Sequence, residues 1–202
     1  MIPPEALKRL REDMEAALDR ERFTHTLGVE AEILWLGNHF PGTDPDRLRV
    51  AALLHDLTRP QSASEQRRLC RHLQIPLTPA DLASPAVLHA KTAAKLSARQ
   101  YPLLVDDEIA GAIAKHTTGD PEMSLFDQLL FIADYTEPGR EHPACRQVRA
   151  YLHQALPGAQ AHEREAILTQ AVADALCHTR DYLLSQGLPI APQSIAAIEA
   201  LR

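Results

Sequence analysis

The sequence predicts an all-α protein built as a helical bundle, and three observations carry that prediction. Apolar residues recur at spacings of three and four in one segment after another. Many of these segments open on a capping residue followed by proline, or by an acidic residue three positions on. No segment alternates apolar and polar residues over a convincing length, and no Asn-Gly pair marks a hairpin.

The elements follow in order. "PPEALKRLREDMEAALDR" places Leu7, Leu10, Met14 and Leu18 on one face, and a second helix over 21–38 carries Leu27, Ala31 and Leu34. Asp44 before Pro45 is an N-cap with proline in the first turn, opening a helix expected to reach about Leu57. Ser62 and Glu65 form a capping box for a helix to about Gln74. Ser84-Pro85 is expected to cap "AVLHAKTAAKLSARQ", Asp106 to cap "DEIAGAIAKH" and Ser124 to cap "LFDQLLFIADY". Helices near 143–155 and 160–186 follow, the longer one closed by Gly187 and Pro189, and "SIAAIEALR" ends the chain.

A chain of 202 residues suits one domain, here 1–202, and 45% hydrophobic residues suffice for a sizeable core. A formal charge of −6 argues against a nucleic-acid or anionic-membrane binder, because both need a basic surface. "MIPPEALKRL" lacks an apolar run of signal-peptide length, so a cytoplasmic location is expected. Cys70, Cys145 and Cys177 are scattered and form no CxxC pair, which fits reduced thiols and excludes a thiolate zinc site.

Chemistry is carried by polar residues that interrupt apolar helices: His25 in "RFTHTLGV", His55 and Asp56 in "AALLHD", His89 in "AVLHAKTAA", His116 in "AIAKH" and Asp134 after "LLFIA". A lone histidine on such a helix is ordinarily a hydrogen-bonded core residue or a cap. Asp134 is harder to dismiss, because a carboxylate after that run must be paired. Several imidazoles and carboxylates entering one core are best neutralised by metal ions. That donor set suits iron, manganese, cobalt or zinc rather than calcium or magnesium. Six side chains are enough for two ions, with Asp56 spanning both and a water held and activated between them.

The ordered series resembles the HD-domain phosphohydrolases. Its wording is similar to one branch, the bacterial symmetrical diadenosine-tetraphosphate hydrolases (the YqeK family). The matching pieces are "RFTHTLGV", "AALLHD", the histidine of "VLHAKTA", "AIAKHTTG", "MSLFDQLLFIADYTEPGR" and Arg149 in "RQVRAYL", spanning 22–152. The resemblance implies an HD helical bundle with a dinuclear metal centre, iron first among the candidate metals, and C-terminal helices over 155–202 packing on the bundle. By analogy, His25, His55, Asp56 and Asp134 would hold one ion, and Asp56, His89 and His116 the other. It further implies cleavage of diadenosine tetraphosphate in the middle to give two ADP, with Asp56 and Arg140 as the catalytic residues.

The tetraphosphate calls for cations and donors beyond the metals. Arg22, Arg140 and Arg149 match the family pattern, and Arg140 follows closely on Asp134. Thr117, Thr118 and Gly119 could bring hydroxyls and N–H groups to phosphate. The chain departs from the pattern in three places: Arg59 stands where a lysine is usual, Ala90 where glycine commonly follows the histidine, and Gln128 where lysine is common. Arg59 keeps the charge and is counted among the substrate contacts. Two alternatives stay open: an HD nucleotidase acting on mononucleotides or an alarmone, and a non-catalytic nucleotide or metal sensor. A homodimer also stays open. His39, His72, His142, His153, His162 and His178 have no place in the pattern and receive no role, and the long C-terminal helix is expected to cover the bundle rather than do chemistry.

Overall fold

A computed structural model describes residues 2–201. Met1 and Arg202, the last residue of the expected terminal helix, lie outside the described residues. The structure is all-α, with eleven α-helices, two 3₁₀ turns and no strand among the described residues. None of the helices is long and apolar enough to cross a membrane.

The first three helices are α1 (Pro4–Ala17), α2 (Arg20–Gly37) and α3 (Pro45–Leu54); α1 buries the predicted stripe of Leu7, Leu10 and Met14, whereas α2 turns Val29, Ile33 and Leu36 inward and leaves Leu27 and Ala31 of its expected stripe exposed. Asp44 accepts from the N–H groups of Asp46 and Arg47, as its position before Pro45 implies. α4 (Ala63–His72) opens on the Ser62/Glu65 capping box. A short helix follows that the periodicity did not predict, α5 (Pro79–Ala83), since five residues make too little of a stripe. Its start was nevertheless written, because Thr78 and Asp81 form a capping box around Pro79.

Ser84 makes no side-chain cap. Pro85–Val87 form a 3₁₀ turn, and α6 (Leu88–Gln100) begins three residues later than expected. α7 (Asp107–Lys115) and α8 (Leu125–Thr136) are capped by Asp106 and by the Ser124/Asp127 box. α9 (Pro143–Ala155), α10 (Ala161–Ser185) and α11 (Pro192–Ala200) complete the chain. α10 closes as its sequence implies: Gly187 has φ +64°, and Leu188 N–H donates to the Leu183 carbonyl at 2.9 Å.

α2 packs against α3 and α8, α7 against α6 and α8, and α10 lies across α8 and α9. One buried apolar cluster runs from Leu7 to Ile198. α3 stops at Leu54, three residues short of the expected end, and tight turns carry the chain to Pro60. Those turns are tied across the core: the Thr58 hydroxyl donates to the His89 carbonyl at 3.0 Å, and Gln66 Nε2 donates to the Thr58 carbonyl at 2.5 Å. The early end turns His55 and Asp56 into the interior, where both are buried.

Candidate metal centre

Five helices deliver the six sequence-predicted polar side chains to one place. His25 comes from the middle of α2, and His55 and Asp56 from the end of α3. His89 lies in the first turn of α6, His116 caps α7, and Asp134 lies in the last turn of α8. His25, His55 and Asp134 have ligand atoms within 4.8 Å of one another, and so do His55, Asp56 and His116.

The Asp56 carboxylate divides the histidines into two pairs. Its Oδ2 lies 3.8 Å from His25 Nε2 and 3.5 Å from His55 Nε2. Its Oδ1 lies 3.3 Å from His89 Nε2 and 3.7 Å from His116 Nε2. Asp134 Oδ1 completes the first group, 3.0 Å from His25 Nε2 and 3.9 Å from His55 Nε2.

The backbone sets which ring nitrogen carries the proton. Nδ1 of His55, His89 and His116 each lies 2.7 Å from the carbonyl three residues earlier, on Ala52, Ala86 and Ile113. A carbonyl only accepts, so each Nδ1 is the donor and each Nε2 turns a lone pair inward. His89 and His116 thereby set two Nε2 atoms 3.2 Å apart, a repulsive arrangement unless a proton or cation lies between them. His25 Nε2 and His55 Nε2 are buried without a hydrogen-bond partner, an arrangement that costs about 1–3 kcal/mol per group. Orphaned lone pairs converging on the buried Asp56 and part-buried Asp134 carboxylates are what a pair of metal ions would satisfy. The residues fit the group.

The charge states of Asp56, Asp134 and His89 agree with this, and that of His25 does not. Burial alone would push Asp56 up, but His55 and His116 hold it well below the usual carboxylate range. Burial opposes ionisation of Asp134 too, and Arg140 and His25 outweigh it. Burial and the neighbouring His116 push His89 down to about 3, so that ring stays neutral, as a ligand must. Burial also opposes charge on His25, yet Asp134 and Glu137 together raise it.

Glu137 is the site residue that the sequence reading missed. Its Oε1 lies 3.1 Å from His25 Nδ1, making a carboxylate–histidine pair behind the first group, and its Oε2 accepts from Gly139 N–H at 2.6 Å. Two glycines make room for it: a Cβ on Gly28 would collide with Glu137 Oε2, and one on Gly139 would come within 3.0 Å of the carboxylate. The signal lay in "TEPGR", an acid three residues after Asp134 in a glycine-bearing loop, but its partner His25 is 112 residues away.

The expected substrate contacts fall into two groups. Arg22 donates to Asp56 Oδ2 at 2.8 Å, and Arg140 donates to Asp134 Oδ1 at 2.6 Å and to the Asp134 carbonyl at 3.0 Å. The Thr117 hydroxyl lies 3.1 Å from His89 Nε2 and 3.0 Å from His116 Nε2. These three reach the centre. Arg149 instead donates to the carbonyls of Thr136 and Glu137, at 3.1 and 2.7 Å, and holds the loop after α8 in place. Thr118 donates to the Gly119 carbonyl, and Gly119, at φ +66°, has Leu176 of α10 3.1 Å from where a Cβ would project. Arg59 is exposed, 3.4 Å from the Ala86 carbonyl that also receives His89 Nδ1–H. Gln128, in the position where lysine is common, ties the Met123 carbonyl to Thr169 of α10.

Two clefts border the centre and share Arg140. One, of about 720 Å³, is lined by Arg20, Arg22, His25, Gly28 and the 137–139 loop. The other, of about 310 Å³, runs from His116, Thr117 and Asp134 out to rings on α8, α9 and α10.

Histidines and aspartates converging from five helices of an all-α bundle define a class, and comparison agrees. The model of the HD domain matches residues 22–139, and the chain belongs to the HD-domain family. It is 33% identical over 144 residues to a symmetrical bis(5'-nucleosyl)-tetraphosphatase from Halalkalibacterium halodurans, covering 70% of this chain and 74% of that one. The enzyme of the same name from Bacillus subtilis is 32% identical over 143 residues, covering 69% and 75%. A crystal structure described as a predicted HD superfamily hydrolase involved in NAD metabolism, from Clostridium acetobutylicum, superposes with a TM-score of 0.83 at 24% identity. It covers 96% of this chain and 95% of that one and shares the fold.

Proposed function

We propose that this chain is a metal-dependent phosphohydrolase that cleaves diadenosine tetraphosphate at its centre to give two ADP. The observation that carries this is the split of the Asp56 carboxylate, one oxygen toward each pair of inward-facing imidazoles. The curated relatives' activity supports the choice of substrate.

His25, His55, Asp56 and Asp134 would hold one ion, and Asp56, His89 and His116 the other. The donors are imidazole and carboxylate without thiolate, a set suited to iron first and to manganese, cobalt or zinc as substitutes. When bound, such ions supply Lewis-acid chemistry: they neutralise phosphoryl charge and lower the pKa of a water. The chain's own residues do the rest. Glu137 orients His25 and the three backbone carbonyls orient the other rings, so the donors need little rearrangement. Arg22 and Arg140 already reach the two carboxylates, and guanidinium groups there can turn to phosphate oxygens. Thr117 offers a hydroxyl at the second group. Arg149, Thr118 and Gly119 would serve the site through the loops they hold, and Arg59 from the rim.

The test is to incubate iron- or manganese-loaded protein with diadenosine tetraphosphate and separate the nucleotides. ADP as sole product is expected. ATP with AMP would keep the hydrolase and overturn symmetrical cleavage. No turnover by protein shown to hold metal would overturn the proposed substrate and favour the mononucleotide or sensor alternatives.

A further inference from the structure

The two groups of ligands are braced by different means. Behind the first, the Glu137 carboxylate lies 3.1 Å from His25 Nδ1. Behind the second, the rings of His89 and His116 lean on backbone carbonyls, so each ring is only as fixed as the backbone that carries it. For His89 that backbone is the first turn of α6, directly after a 3₁₀ turn, and its carbonyl is gripped by a side chain from the far side of Asp56.

Three uncharged side chains make the grip: Thr58, Gln66 of α4 and Thr92 of α6, all buried. The Thr58 carbonyl can only accept, so the Gln66 amide nitrogen faces it, at 2.5 Å, and the amide oxygen faces the Thr92 hydroxyl, at 2.6 Å. An amide oxygen only accepts as well, so Thr92 gives its one proton there. The longer Thr92 contacts, 3.1 Å to the Leu88 carbonyl and 3.2 Å to the His89 carbonyl, go without it. The Thr58 hydroxyl is then the donor at its own two contacts, 2.8 Å to Thr92 Oγ1 and 3.0 Å to the His89 carbonyl. One glutamine thus sets the direction of every bond. The circuit begins and ends on Thr58, two residues after Asp56, and ties that turn to the one that carries His89. Across the tie, His89 Nε2 lies 3.3 Å from Asp56 Oδ1.

We infer that Gln66 and Thr92 are positioning residues for the second ion, because their network with Thr58 fixes the span between the Asp56 carboxylate and the His89 imidazole. The inference rests on the two-ion reading above and adds an asymmetry between the two sites. His25 and Asp134 belong to α2 and α8, which the network does not touch, so loosening it strikes the second group and spares the first. A buried polar network is rigid while its members are paired, and removing one leaves the others short of partners. None of its members is charged. It acts on where the His89 ring lies, whereas Glu137 also makes its histidine a stronger base.

The experiment treats manganese-loaded protein with rising concentrations of a chelator and counts the ions retained per chain. Wild type should hold two. Thr92→Val and Gln66→Met, which keep the volume and lose the polar group, should each weaken one ion about 10- to 100-fold and leave the other near wild type. Thr92→Ser, which keeps the hydroxyl, should retain both ions as wild type does. In a His89→Ala background, where only the first group is complete, adding Thr92→Val should leave the remaining ion unchanged. Equal weakening of both ions, no weakening, a Thr92→Ser protein no better than Thr92→Val, or further loss in the His89→Ala background would each overturn the positioning role. Loss of the helical circular dichroism signal in both Thr92→Val and Gln66→Met would make the network structural and overturn it too. Wild type holding fewer than two ions would instead bring down the two-ion reading itself.

Discussion

This protein holds two histidine–carboxylate clusters against α2, and only one of them has the form of a metal site. Two turns along α2 from His25, Glu32 is buried and lies 3.0 Å from His153 Nε2 and 3.1 Å from the Thr136 hydroxyl. His153 stacks on Trp35 with ring centroids 3.8 Å apart. Both Glu32 oxygens have partners there, and the cluster joins α2, α8 and α9. At the metal centre the residue types are the same, but His25 Nε2 and His55 Nε2 have no partner, and the Asp56 and Asp134 oxygens face several nitrogens at once. Residue type does not separate structure from function here. What separates them is whether the inward atoms are already satisfied.

Breaking the comparison at its centre should have the largest effect. Asp56→Ala removes both oxygens that divide the imidazole pairs, and we expect turnover to fall by about 10³-fold or more with metal content lowered. Metal analysis alongside rates checks it, and full metal with retained activity would remove Asp56 from the bridging role. Next comes Glu137→Gln, which keeps the shape and removes the charge behind His25. Metal affinity should weaken about 10- to 100-fold in a competition titration with a chelator. An affinity equal to wild type would make Glu137 a loop anchor only.

Arg140→Ala should raise KM or slow turnover by roughly tenfold or more while metal content stays near wild type. Steady-state kinetics with matched metal analysis distinguish this from loss of the site, and wild-type kinetics would return Arg140 to the surface. The smallest effect is expected in the other cluster. His153→Ala should cost about 1–3 kcal/mol in denaturant unfolding, because it leaves buried Glu32 short of a partner, with metal content unaltered. Metal loss in that variant would show that the two clusters are coupled, and the contrast drawn above would fail.

Much of this was legible along the chain. The caps at Asp44, Ser62, Asp106 and Ser124 and the glycine stop at Gly187 are local hydrogen-bond chemistry, and each appears in the structure where the residues call for it. The early end of α3 was not legible, because it depends on Thr58 meeting His89 and Gln66 across the core. Of the site, the six polar residues stood out one by one against apolar helices. Glu137 did not, since a carboxylate in a proline-glycine loop reads as solvated until Gly28 is seen to leave it room.

From the residues alone came ten of the eleven helices, the starts at Asp44, Ser62, Asp106 and Ser124, and six of the imidazoles and carboxylates that enter the core. Helix periodicity and capping are set within a few residues, and a polar side chain inside an apolar run is conspicuous without any partner. Folding in three dimensions decided which oxygen of Asp56 faces which pair of imidazoles, and which of the two histidine–carboxylate clusters was left unsatisfied. Those are distances between atoms far apart in the chain, and packing alone sets them.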